Sequence, residues 1–322
     1  MSGEVQEFYQ HPRKVSTSGG ATVNFHSRGL SGVSRGDTVL VLLHGYPQSS
    51  YMFRWLIPLL PSHLPLFVPD LPGYGDSTAN SLRHDKRTVG TAILEALKKS
   101  LPSQGDELPK IIIAGHDRGA RVCHRLAVDA PDILSFEIVS VIFLDIVPTA
   151  VQWNTFDNPK SAASKFHWSL LANVEIATKL ITSHGGGSWC SELIHRWAGR
   201  NERRRARLLN PEALAVYCRH FDNDSVVRAS CEDYRAGAFE DDDLQREDQK
   251  VGNKIGIPTL VVYSESFTGA AYNVESIWRD WCTEGTRVET KAIGDGTGHF
   301  LPEEAPEETA DIMNIWIKQW IK

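Results

Sequence analysis

The chain has 322 residues, of which 41 % are hydrophobic and 23 % charged, with a formal net charge of −6. This length can bury a sizeable core in one or two domains. The acidic balance argues against nucleic acid or an anionic membrane surface as partner. No apolar run approaches the roughly eighteen residues of a membrane span, and Met1–Lys14 is polar without a signal-like apolar core. The five cysteines (Cys123, Cys190, Cys218, Cys231, Cys282) lie far apart with no C-x-x-C pair. That pattern reads as free thiols in a reducing compartment, so a cytoplasmic location without metal or cofactor is expected.

In chain order, Lys14–Val15 and Ala21–Phe25, split by Ser-Gly-Gly, suggest a leading hairpin. Thr38–Leu43 is a continuous apolar strand ending at His44-Gly45-Tyr46-Pro47, and Ser50 to Leu60 reads as a helix. A short strand, Leu66–Pro69, precedes the Pro- and Gly-punctuated loop Asp70–Ser77, and Val89 to Ser100 has helical spacing. The strand beginning at Ile111 runs into Gly115-His116-Asp117-Arg118-Gly119, and a helix follows over 118–127. Val139–Leu144 is a further buried strand, closing on Asp145.

Strands alternating with helices imply a mostly parallel sheet covered on both faces. From Pro148 to about Asn253 no buried strand is evident, and the runs look helical. Gly185-Gly186-Gly187, Arg203-Arg204-Arg205 and Asp241-Asp242-Asp243 read as loops or solvated faces. Strands return at Ile257–Tyr263 and Val288–Ile293, and Pro302 to Trp320 reads as a closing helix with a buried stripe of Ile312, Ile315, Trp316 and Trp320. The expected organisation is an α/β core over 1–147 and 255–322, with a helical cap over 148–254 above the strand C-termini, where such sheets bind ligands.

A strand, a Gly-x-x-x-Gly turn and a helix form the elbow that lifts a nucleophile above such a sheet; its middle residue is usually serine. Here it is Asp117. A carboxyl with an ordinary pKa near 4 is about 1000:1 ionised at neutral pH, so it can attack without an adjacent base. Displacement at a saturated carbon would leave an alkyl ester, and a histidine is needed only to activate the water that cleaves it. The competing reading of Asp117 is a simple helix N-cap. Against it stand Arg118 and Arg121, which put positive charge in a first turn that disfavours it but could serve a bound carboxylate. His299, after the final strand, is the candidate base, and Asp145 is favoured over Glu265 as its orienting acid. The backbone N–H groups of Tyr46 and Arg118 are candidate oxyanion donors.

The chain resembles the α/β-hydrolase superfamily, and within it the fluoroacetate (haloacetate) dehalogenases. The motifs that carry this are His44-Gly45-Tyr46-Pro47-Gln48, Asp70–Ser77, Gly115–Arg121, Leu144–Thr149, His167-Trp168, Cys231–Ala238 and Gly298–Pro306. The resemblance implies an eight-stranded sheet with a cap, Asp117 as nucleophile, His299 as base and Asp145 as its orienting acid. It further implies Arg118 and Arg121 as the carboxylate handle and His167, Trp168 and Tyr234 as donors to the departing halide. A small α-haloacid and water would be the partners, and a homodimer is possible. Tyr46 departs from the phenylalanine usual in the family. Ser264–Asn273 and Gly294–Thr297 also differ and are expected near the entrance. The alternative is an epoxide hydrolase with the same aspartate, using Tyr234 and Tyr217 to protonate the epoxide oxygen. A catalytically silent partner-binding protein is disfavoured, because it has no need of Asp117, Asp145 and His299 together.

Overall fold

The computed structural model describes residues 3–80, 83–102, 108–130 and 136–321. Eight strands form one sheet: β1 Arg13–Ser16, β2 Thr22–Arg28, β3 Thr38–Leu43, β4 Leu66–Pro69, β5 Lys110–His116, β6 Glu137–Leu144, β7 Thr259–Ser264 and β8 Val288–Ile293, in the spatial order β1-β2-β4-β3-β5-β6-β7-β8. β1 and β2 pair antiparallel, β2 runs antiparallel to β4, and every pair from β4 to β8 is parallel. This is the α/β-hydrolase fold, mostly parallel as the sequence implies.

The central strands explain themselves. Every residue of β3 is buried, as is Ile111–His116 of β5. Such uninterrupted Val/Ile/Leu runs suit strands covered on both faces, whereas an edge strand alternates. β1 at the sheet edge is correspondingly exposed. The helix Arg118–Asp129 packs on β5 and β6, and Pro306–Ile317 packs on β7 and β8.

Between β6 and β7 lie nine helices of the described residues, from Thr149–Trp153 to Glu240–Val251, and no strand. Three features there depart from the sequence reading. Gly186 and Gly187 are not loop: they open the helix Gly186–Trp197, because a Cβ on Gly186 would lie 1.8 Å from the Phe221 carbonyl oxygen of the neighbouring helix. Arg204 is not on a solvated face. It sits in the helix Glu202–Leu208 and donates to Thr297 Oγ1 (2.5 Å) and Glu308 Oε1 (2.7 Å), tying the insert to the loop that carries His299. Asp241 is not in a turn but in the first turn of a helix, buried against Lys86 (3.1 Å).

Two helices of the core also differ. Ser50–Leu60 is two short 3-10 segments, Ser50–Arg54 and Ile57–Leu59, because Pro58 has no N–H to continue an α-helical ladder. The closing helix is broken into Leu301–Glu304 and Pro306–Ile317, again at a proline. Its buried side is Thr309, Ala310, Met313, Trp316 and Ile317, while Ile315 is 71 % exposed.

Candidate active site

Asp117 sits between β5 and the helix Arg118–Asp129 with φ 44° and ψ −112°. A non-glycine residue at positive φ is strained, and the surroundings must hold it there. They do so by close packing. A Cβ on Gly119 would lie 2.3 Å from the Leu43 carbonyl oxygen, and one on Gly45 would lie 2.6 Å from Asp117 Cβ. The N-cap reading of Asp117 fails: its side chain accepts no capping hydrogen bond from the helix. Instead Asp117 Oδ2 accepts the backbone N–H of Tyr46 at 3.0 Å. The Arg118 N–H, first of the helix, has no intrahelical acceptor. Burial opposes the charged form of Asp117, but His299 and the Arg121 and Arg118 guanidiniums outweigh it and hold the carboxyl below its ordinary pKa.

Asp145 follows β6 at φ 57°. One carboxylate oxygen accepts the Ser264 N–H (2.8 Å) and the other lies 2.7 Å from His299 Nδ1. Both acceptors are thereby used, and the His299 Nδ1 position is fixed as a donor, leaving Nε2 to act as the base atom. Burial would lower the His299 pKa; the hydrogen bond and charge of Asp145, with the charge of Asp117, overcome this and raise it. Glu265, the other candidate acid, is exposed and does not line the cavity.

His116 steadies the same loop. Its Nε2 donates to the His299 carbonyl (2.8 Å), and burial together with the nearby His299 pushes its pKa down to about 3, so it stays neutral. Glu304 holds the loop from the other side by accepting the N–H groups of Gly298, Phe300 and Gly199, the last belonging to the insert.

Asp117, Asp145 and His299 line one cavity of about 210 Å³ together with Arg121, His167, Trp168 and Tyr234. His167 and Tyr234 approach to 5.8 Å between ring centroids, and Trp168 and Tyr234 to 5.6 Å, edge to face. Burial pushes His167 down to about 3, so at neutral pH its imidazole is uncharged with one N–H to give. The Trp168 indole N–H and the Tyr234 hydroxyl have no hydrogen-bond partner among the described residues. The cavity therefore holds several neutral N–H and O–H donors opposite a carboxylate, a setting able to receive charge developing on a departing atom.

The two arginines part company. Arg118 Nε donates to Asp233 Oδ2 (2.5 Å) and Nη2 to the Asp233 carbonyl (2.8 Å), its guanidinium lies over the Tyr234 ring, and it does not line the cavity. Only its Nη1 is buried without a partner. Arg121 Nη1 donates to the Val147 carbonyl (3.0 Å) and Thr149 Oγ1 (3.1 Å), while Nε has no partner. Arg121 faces the cavity and has no carboxylate within ion-pair distance among the described residues. Burial first, and then the neighbouring Arg118, lower its pKa to about 10.

Other expectations fall elsewhere. Tyr217 is fully buried away from the cavity, donating to Glu303 Oε1 (3.0 Å) and accepting from Arg54 (3.0 Å). The Tyr46 hydroxyl accepts the Trp189 indole N–H (2.6 Å), so it braces the insert. Of the segments that depart from the family pattern, Phe267, Thr268, Ala271 and Tyr272 line the cavity, whereas Gly294–Thr297 do not. Asp233 and Lys86, which the sequence reading did not single out, form a buried cluster with Arg118 and Asp241. The only signal for Asp233 was its place beside Tyr234 in a matching motif.

Residues 40–312 match the family model described as Alpha/beta hydrolase family. A fluoroacetate dehalogenase from Burkholderia sp is 28 % identical over 280 residues, covering 86 % of this chain and 86 % of that protein. A soluble epoxide hydrolase from Corynebacterium sp. (strain C12) is also 28 % identical, over 84 % of this chain and 87 % of the relative. Among solved structures, a mutant of a Pseudomonas aeruginosa protein assigned as an epoxide hydrolase, with bound MFA, superposes with a TM-score of 0.82 at 29 % identity, covering 96 % of each chain. With its match to the family model, its sheet topology and these relatives, the chain belongs to the alpha/beta hydrolase family.

Proposed function

We propose that the protein hydrolyses small α-haloacids by displacement at the halogen-bearing carbon. Asp117 attacks that carbon, forming a C–O bond as the C–X bond breaks and its electron pair leaves on the halide. His167, Trp168 and Tyr234 donate to the halide as its charge grows. His299 then takes a proton from water, and the hydroxide attacks the ester carbonyl of Asp117. The Tyr46 and Arg118 backbone N–H groups support the oxyanion, as donors aimed at developing charge do. Collapse releases the α-hydroxyacid and restores the aspartate; the sum is haloacid plus water giving hydroxyacid, halide and a proton.

The observation that carries this reading is Arg121, a buried guanidinium beside Asp117 with no carboxylate of its own among the described residues. A substrate carboxylate would supply an ion-pair partner and an acceptor for the Arg121 Nε; a neutral epoxide would supply no charge. Arg121 is the handle; Arg118, which does not line the cavity, acts on the site through its charge.

The epoxide hydrolase relative makes ring opening the competing reaction. Tyr217 is unavailable for it, so only Tyr234 of the two expected tyrosines reaches the cavity. The decisive experiment is intact mass spectrometry of His299→Ala after exposure to bromoacetate, fluoroacetate or styrene oxide. An adduct on Asp117 from a haloacid supports dehalogenation. An adduct from the epoxide alone transfers the assignment to epoxide hydrolysis.

A further inference from the structure

The cavity extends well past the chemistry just described. At about 30 Å³ per water in the liquid, 210 Å³ has room for about seven waters. That exceeds the handful of heavy atoms in a haloacetate. The outer part is lined by Ser164, Lys165, Ala271 and Tyr272, and the exposure of Ser164 and Ala271 marks it as the mouth.

Lys165 stands just before the helix Phe166–Ala172, so the helix that carries Trp168 against Arg121 also carries a second cation. Its ammonium donates to Tyr272 Oη (2.6 Å), Thr155 Oγ1 (3.0 Å) and Ser161 Oγ (3.2 Å), and it lies 4.7 Å from the Tyr272 ring centre. All three partners are neutral hydroxyls, and no carboxylate of the described residues pairs with it. Tyr272 accepts from Lys165, so its own hydrogen remains to be given, and no described residue takes it. The cavity thus has one cation, Arg121, with no ion-pair partner among the described residues, and another, backed by a free phenol donor, near its mouth. One carboxylate can satisfy only the first.

We infer that Lys165 and Tyr272 form a second anion subsite, and that the preferred substrate is an α-halo dicarboxylate, one carboxylate on Arg121 and the other at the mouth. This rests on the dehalogenase reading and names its substrate class. The bond changes are unchanged: the halogen leaves from the carbon next to the inner carboxylate, and water replaces it. In a protein of net charge −6, local cations are what make a doubly anionic ligand acceptable.

The test is halide release from 2-bromosuccinate and from 2-bromobutanoate, which has the same number of carbons but one carboxylate. Wild type should show the higher kcat/KM on the diacid. In Lys165→Gln the diacid-to-monoacid ratio should fall about ten-fold or more, chiefly through KM, as expected for the loss of a cation close to the outer carboxylate. Lys165→Arg should recover part of it, and Tyr272→Phe should move the ratio in the same direction by less. Halide release with no preference for the diacid, or a ratio unmoved in Lys165→Gln, overturns the subsite and leaves the dehalogenase reading standing. No halide from either compound, or from bromoacetate, overturns both.

Discussion

Arg118 and Asp233 are locked together where the core meets the helical insert. Two nitrogens of the guanidinium hold the side chain and the carbonyl of one aspartate at 2.5 and 2.8 Å. Lys86 and Asp241 complete the group, so two cations face two carboxylates and the buried charge sums to zero. Arg121, three residues on, donates only to the Val147 carbonyl and Thr149 Oγ1 and makes no ion pair with a carboxylate among the described residues. The two arginines should therefore respond differently to mutation. A charge-assisted hydrogen bond contributes about 1.5–3 kcal/mol, so Arg121→Gln should lower kcat/KM for a haloacid about 10- to 100-fold. Arg118→Gln should cost less activity and more stability. Steady-state halide release together with thermal melts of both variants checks this; equal kinetic losses with unchanged melting would refute the division of roles.

Asp233 is the second case. Burial disfavours its charge, but Arg118 and Lys86 overcome that and hold its pKa well below the ordinary carboxylate range. Removing one partner of a buried pair leaves the other uncompensated, typically at about 3–5 kcal/mol. Asp233→Asn should lower the urea midpoint of unfolding accordingly at neutral pH. The sign with pH follows from the depressed pKa. The contribution of Asp233 is fully present above the unfolded value near 4 and is lost as pH falls through the lower folded value. The gap between wild type and Asp233→Asn should therefore be constant from pH 6 to 8 and narrow only in strong acid.

His299 carries the opposite shift. Its raised pKa means that the base is protonated, and ester cleavage lost, as pH falls through a value above the ordinary 6.5. Asp145→Asn deletes the anionic acceptor at 2.7 Å, leaving burial as the dominant influence. The acid limb of kcat should then move to lower pH. The plateau should drop by about 10²–10⁴, the usual worth of a well-placed general base. A pH–rate profile of both proteins decides it: an acid limb that stays put would mean that Asp145 does not set the His299 charge.

How much of this was visible in the residues alone depends on where the information resides. β3, β5 and β6 were legible because a fully buried strand needs an unbroken apolar run, and the places of Asp117 and Asp145 were legible because each stands directly after a strand, with His299 in the loop that follows the last one. Lys86, Asp241 and Arg204 were not, since a charged residue in sequence looks solvated whatever it meets later. Only the fold brings Lys86 to Asp233 across 147 positions. Gly186 misled for a related reason: its need for glycine comes from the Phe221 carbonyl on another helix, not from a turn.

The closing helix shows the same limit and gives the last test. Ile312, Met313, Ile315, Trp316 and Ile317 surround the helix with apolar side chains, so spacing alone could not choose which face turns inward. Packing on β7 and β8 selects Thr309, Ala310, Met313, Trp316 and Ile317, at three- and four-residue intervals, and leaves Ile315 in solvent. Met313 is fully buried and Ile315 is 71 % exposed. Met313→Ala should therefore destabilise the protein by about 2–5 kcal/mol through lost burial and a cavity. Ile315→Ala, away from any packed contact, should stay within about 0.5 kcal/mol of wild type. Urea denaturation of the two variants compares them directly, and the register of this helix is wrong if Ile315→Ala is the more damaging.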